Sequence, residues 1–248
     1  NKKIQLKEGS GPHNVIVGSD GIVWYAGNLN RLIGRYDPDT DQIEEILMPD
    51  EGARDPHTLI FDHNEENIWF TVQGGNMMGR LNINSRKVDL IKSNTIRSRP
   101  YGIKIAPDNS IWVVLFGTNK LAHINPQTLS HTEIDIPRSE ARPRRLEVTA
   151  DGNIWYVDYA KGFLGRYQPA TQEFSEWQMP QGENAKPYGM ASDSQGRLWM
   201  VASGVQPNIF LGFDPITEKF IGETEINSGG GTIRHMHYEE KSGAIWFG

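Results

Sequence analysis

The sequence predicts an all-β protein, a β-propeller of four-stranded blades, on three observations. A tryptophan recurs at intervals of 43 to 47 residues, a turn-bearing hairpin precedes each one, and a proline-containing marker precedes each hairpin. The tryptophans are Trp24, Trp69, Trp112, Trp155, Trp199 and Trp246. The hairpins that end on them are GSDGIVW, DHNEENIW, APDNSIW, TADGNIW, SDSQGRLW and EEKSGAIW, each an apolar strand, a Gly- or Asn-bearing turn and a second apolar strand.

The markers are GPHNV, DPHTL, RPYGI, RPRRL, KPYGM and IRHMH, the last with Arg234 in place of proline. Downstream of each tryptophan comes a further strand ending in an Asx or proline turn: LIGRYDPDT, MMGRLNINS, KLAHINPQT, FLGRYQPAT and FLGFDPIT. A fourth strand follows, as in QIEEILMP and EFSEWQMP. Four short strands with no sustained helical period make one propeller blade, and the linkers are too short for the helices of a TIM barrel or a doubly wound sheet.

The reading is one domain over 1–248, with five complete blades and an incomplete final one at 234–248. The opening NKKIQLKEG, residues 1–9, reads as the last strand of a preceding or ring-closing blade, which leaves a seven-bladed fold with part missing or a six-bladed ring. Gly34, Gly79, Gly165 and Gly212 read as close-packing or turn residues, and no helix follows them to make a nucleotide loop. The repeated tryptophans are expected to pack between blades. His237, which stands where other units place Val15, Leu59, Ile103, Leu146 and Met190, is expected in the core.

Composition narrows the function. The 25 basic and 31 acidic residues give a net charge of −6, which argues against a nucleic-acid or anionic-membrane surface. Cysteine is absent, so disulfides, thiolate metal sites and a cysteine nucleophile are excluded while the compartment stays open, periplasmic, secreted or cytoplasmic. The longest apolar run, IWVVLF, is too short to span a bilayer, and no membrane insertion is expected. A monomer acting on a small molecule is the expectation.

In a propeller the loops that enter the innermost strands open on one face, and function gathers on such loops. The residue after the marker proline is His13, His57, Tyr101, Arg144, Tyr188 and, in the last unit, His235. A structural turn does not require such side chains six times, so this set is the candidate site, although any one of them is also accounted for by a hydrogen bond to a neighbouring loop. Asp55 precedes His57 by two residues. Arg144 and Arg145 lie near Asp158, the acid three places after Trp155, either as an ion pair or as groups that bind a ligand's carboxylate or carbonyl.

The repeated xPxGI or xPHxI, D-G-x-I/V-W-F/Y and I-G-R-x-x-P motifs, over essentially the whole chain, resemble the streptogramin B lyase (virginiamycin B lyase) family. The resemblance implies a seven-bladed propeller and, as activity, the opening of a cyclic depsipeptide antibiotic by elimination across its ester with magnesium, an antibiotic-resistance function. It places His13 at the family's lone histidine, and His57 and Asp55 in its acid-Pro-His triplet, with Asp where the family has Glu. The family's further glutamate is replaced by Val72, with Gln73 next.

The expected chemistry is therefore an elimination on an ester- or lactone-containing molecule. His57 or His13 is the base, Arg144 or a divalent ion holds the developing enolate, and Asp55 orients an imidazole or binds the metal. Tyr101, Arg145, Asp158, Tyr188 and His235 are the expected substrate-binding residues. The alternatives are a ligand- or protein-binding propeller without catalysis and a lactonase-like hydrolase.

Overall fold

The computed structural model describes residues 2–228 and 231–248. It is all β apart from one 3-10 turn at Gly182–Ala185. The first sheet holds β1 (Pro12–Val17), β2 (Val23–Gly27), β3 (Leu32–Asp37) and β4 (Gln42–Leu47), in that order. The second holds β5 (Pro56–Phe61), β6 (Asn67–Val72), β7 (Met77–Asn82) and β8 (Val88–Lys92). The third holds β9 (Pro100–Ile105), β10 (Ile111–Leu115), β11 (Lys120–Ile124) and β12 (His131–Asp135).

The fourth sheet is β13 (Pro143–Val148), β14 (Ile154–Asp158), β15 (Phe163–Gln168) and β16 (Glu173–Gln178), and the fifth is β17 (Pro187–Ser192), β18 (Leu198–Ala202), β19 (Asn208–Asp214) and β20 (Lys219–Ile226). A hairpin of β21 (Met236–Glu239) and β22 (Ala244–Phe247) closes the described chain. Five sequential antiparallel meanders and a two-stranded hairpin follow the repeat.

The chain forms two compact units that divide within β9: one runs to Ile103 and includes Gln127–Ser130, and the other holds Lys104–Pro126 and the chain from His131 on. In the first, Trp24, Ile33, Leu59, Phe70 and Leu81 share one core between neighbouring sheets. In the second, Trp155, Leu164, Met190, Met200 and Phe213 do the same, and Trp177 stacks on Trp155 at 5.5 Å. Second strands are buried on both faces, as in β10 and β14, which is why they read as unbroken apolar runs rather than alternations.

Two expectations change. Residues 2–9 form no strand; Lys2 and Lys7 instead reach Asp41 and Glu45 beside and on β4 through their ammonium groups, a side-chain contact in place of a backbone ladder. His237 is exposed rather than buried, and its partner across the hairpin, Trp246, is itself 64% exposed.

Candidate functional site

Four blade entrances are built the same way. The entry proline pairs with the third residue after the tryptophan: Pro12 with Gly27, Pro56 with Val72, Pro143 with Asp158 and Pro187 with Ala202. The register then shifts at a bulge that contains His13, His57, Arg144 and Tyr188 in turn. A bulge adds a residue to one strand and re-aims its side chain, so the repeated proline and the repeated bulge set the direction of these four groups.

In the first unit the structure brings three candidates into a row. The rings of His13 and His57 lie 4.1 Å apart at 40°, and those of His57 and Tyr101 4.3 Å apart at 45°. His57 and Tyr101 are buried and His13 is exposed. His57 Nδ1 lies 2.9 Å from Thr58 Oγ1. The Thr71 hydroxyl accepts from the Thr58 N–H at 3.3 Å and donates to the Tyr101 carbonyl at 2.9 Å, while Asn14 Oδ1 accepts from the Leu59 N–H at 2.8 Å. The backbone around the central imidazole is thus tied to the entrances on both sides.

Asp55 is engaged by backbone N–H groups. Its carboxylate accepts from the N–H groups of Gly74, at 2.6 and 2.8 Å, and Gly75, at 3.1 Å, so it pins the turn between β6 and β7. Val72 is fully buried where a further carboxylate would stand, and among the described residues no group of three His, Asp or Glu could hold a metal ion. The side chains present do not fit a magnesium site of the kind that the resemblance implies.

In the second unit Arg144 sits in an aromatic cage. Its guanidinium carbon lies 3.6 Å from the ring centre of Tyr188, 4.3 Å from Tyr159 and 4.7 Å from Phe116, and Arg145 lies 5.8 Å from Tyr188. Stacked faces leave the edge N–H groups as the part of a guanidinium able to meet a planar anion. Asp158 is held from other directions. Fully buried, it accepts from Arg138 Nη1 at 2.5 Å and from the N–H groups of Arg142 at 2.8 Å and Ala160 at 3.0 Å.

Arg138 also donates to both oxygens of Glu176, at 2.8 and 3.1 Å, and that carboxylate accepts from Tyr156 Oη at 3.1 Å. Burial opposes the Arg138 charge, and the bonds to Glu176 and Asp158 more than offset it, so its pKa is raised; burial also raises that of the Tyr156 phenol. His235 is exposed, and its backbone exchanges hydrogen bonds with Gly248 at 3.2 Å.

Phe116, Thr58, Thr71 and Arg138 escaped the sequence reading. A signal existed for the first of them, because the fourth place after the tryptophan holds Asn28, Gln73, Phe116 and Tyr159. Each reaches the next entrance: Asn28 donates to the Pro56 carbonyl at 3.1 Å, Gln73 faces Arg99, Phe116 underlies Arg144, and Tyr159 meets Arg144 and Tyr188.

Sequential four-stranded antiparallel meanders define a β-propeller, with the candidate residues at the strand entrances. The model of the virginiamycin B lyase family matches residues 2–206, and the chain belongs to that family. A streptogramin B lyase structure superposes with a TM-score of 0.86 at 24% identity, covering 99% of this chain and 79% of the other. A catalytically inactive variant of the Staphylococcus aureus virginiamycin B lyase with quinupristin gives 0.84 at 20% identity, covering 95% and 77%. A Bacteroides fragilis protein described as a 6-phosphogluconolactonase gives 0.68 at 14%, covering 98% and 85%. No curated protein matches the sequence.

Proposed function

We propose that this chain is a carbon–oxygen lyase that opens an ester- or lactone-containing small molecule by elimination at the first-unit rim, with His57 as the base. The observation that carries the reading is the His13–His57–Tyr101 row with His57 Nδ1 beside a hydroxyl. When Nδ1–H donates to Thr58 Oγ1, Nε2 is left with its lone pair, the form that a base needs. It takes the proton from the carbon beside a carbonyl. The C–H electron pair becomes a carbon–carbon double bond, and the ester C–O bond breaks with its pair leaving on the carboxylate. His13, exposed and in ring contact with His57, passes the proton to solvent.

Quinupristin is the first substrate to assay, because the S. aureus relative was solved with it and family membership supports the transfer. Ring opening by the wild-type protein should fall at least about a hundredfold in His57→Ala, the usual range for losing a general base, and less in His13→Ala. Unchanged turnover in His57→Ala overturns the assignment. The caged Arg144 favours a second reading, a module that binds a carboxylate-bearing ligand without converting it. Saturable binding that Arg144→Ala abolishes, with no turnover in any form, would select it.

A further inference from the structure

An elimination that starts beside a carbonyl puts negative charge on its oxygen, and something positive has to meet that charge. Val72 and the turn-bound Asp55 leave the first-unit rim without the donor set for a divalent cation. The β6–β7 turn next to Val72 holds a guanidinium. Gln73 directly follows Val72, and with its amide oxygen turned toward Arg99 it accepts from Nη2 at 2.7 Å and Nε at 3.3 Å. Gly74, the next residue, holds Asp55, and Pro56, paired with Val72, precedes His57. Arg99 itself stands two residues before Tyr101, whose ring touches His57.

The exposed Arg99 is thus fastened to the β6–β7 turn that also binds Asp55, two residues before His57. Its φ of 52° is in the left-handed region, as are those of Gly11 at 52° and Lys186 at 38° before two other entry prolines, so this conformation is not peculiar to Arg99. What sets Arg99 apart is the side chain that clamps it. The corresponding Arg142 turns back instead, donating to the carbonyls of Ser139 at 3.0 Å and Ala141 at 2.6 Å.

We propose that Arg99, clamped by Gln73, is the cation of the first-unit site: it binds the substrate carbonyl and carries the enolate charge, so that the reaction needs no divalent metal. Two N–H groups of one guanidinium can meet a carbonyl or carboxylate in a single plane, which a point charge does not enforce. The inference rests on the lyase reading. Its test has one arm that does not depend on turnover.

The variants are Arg99→Gly, which tolerates the left-handed backbone, and Arg99→Lys, which keeps the charge but loses the fork. In the turnover assay, chelator should leave the wild-type rate unchanged, Arg99→Gly should lose about a hundredfold or more, and Arg99→Lys should recover part. In calorimetry, oxalate, a planar anion, should bind the wild type and bind Arg99→Gly at least about tenfold more weakly, one hydrogen-bonded charge contact being worth that much. Loss of turnover on chelation with rescue by magnesium overturns the proposal, as does oxalate binding that Arg99→Gly does not change. If the wild type turns nothing over while oxalate binding depends on Arg99, the lyase reading fails and Arg99 stands as an anion site.

Discussion

Asp158 shows how a single buried carboxylate can tie a strand entrance to the loops beside it. It bridges Arg138, the Arg142 N–H at the entrance to β13 and the Ala160 N–H of the following turn, and Arg144 is two residues beyond that entrance. The spacing after Trp155 marks Asp158 as unusual, but its partner lies in a loop that carries no repeat signal, so Arg138 was not legible. Asp158→Ala leaves Arg138 half-buried with one carboxylate fewer and should cost about 3 kcal/mol, the scale for breaking a buried pair. Chemical denaturation of the two proteins measures it. A change below about 1 kcal/mol would mean that Glu176 alone satisfies the guanidinium.

At the scale of the element, the blade depends on a glycine under a ring. Gly34 pairs with Tyr25, Gly79 with Phe70 and Gly165 with Tyr156, and a Cβ on any of these glycines would overlap the facing ring. Where the ring is absent so is the glycine: Val113 pairs with Ala122. Gly165→Ala should therefore destabilise by about 1–3 kcal/mol through overpacking, and Tyr156→Val in the same chain should recover part of the loss, a coupling that a double-mutant cycle reads directly. Additive effects would show that the ring is not the obstacle. The spacing made these glycines visible as packing residues, but the compensating pair appears only in the register.

The outer strands add a pH dependence. The bond from Arg80 holds the Asp89 carboxyl below its ordinary value, and the bidentate Arg86 does the same for Glu44. For a depressed carboxylate the stabilisation is full above the unfolded pKa, roughly 4, and is lost as pH falls through the lower folded value. These are partly exposed pairs worth about 1 kcal/mol or less each. Arg80→Ala should lower the thermal midpoint at neutral pH, and the gap to wild type should close in strong acid; a gap that persists there would assign the effect to packing of Arg80 over Trp69.

For the molecule as a whole, the repeat carried most of the fold, because every blade solves the same packing problem with the same residue types at the same places. It failed at residues 2–9, which form no strand, and at His237, which is exposed. The candidate site was legible as a set of positions, since equivalent entrances hold equivalent side chains; the His13–His57–Tyr101 row and the Arg144–Tyr188 contact are both members of that set. The partners that orient them were not legible, because hydrogen bonds such as Thr71 to Tyr101 and Gln73 to Arg99 join places with no shared pattern.

Base-initiated elimination is the claim on which the functional account turns, and the fate of solvent oxygen tests it most directly. The ester should be opened by the wild-type protein in heavy-oxygen water and the product weighed by mass spectrometry. Elimination predicts a product with the mass of the starting material and no label, formed at a rate that collapses in His57→Ala. A product heavier by one water and carrying the label would make the protein a hydrolase and contradict the role given to His57.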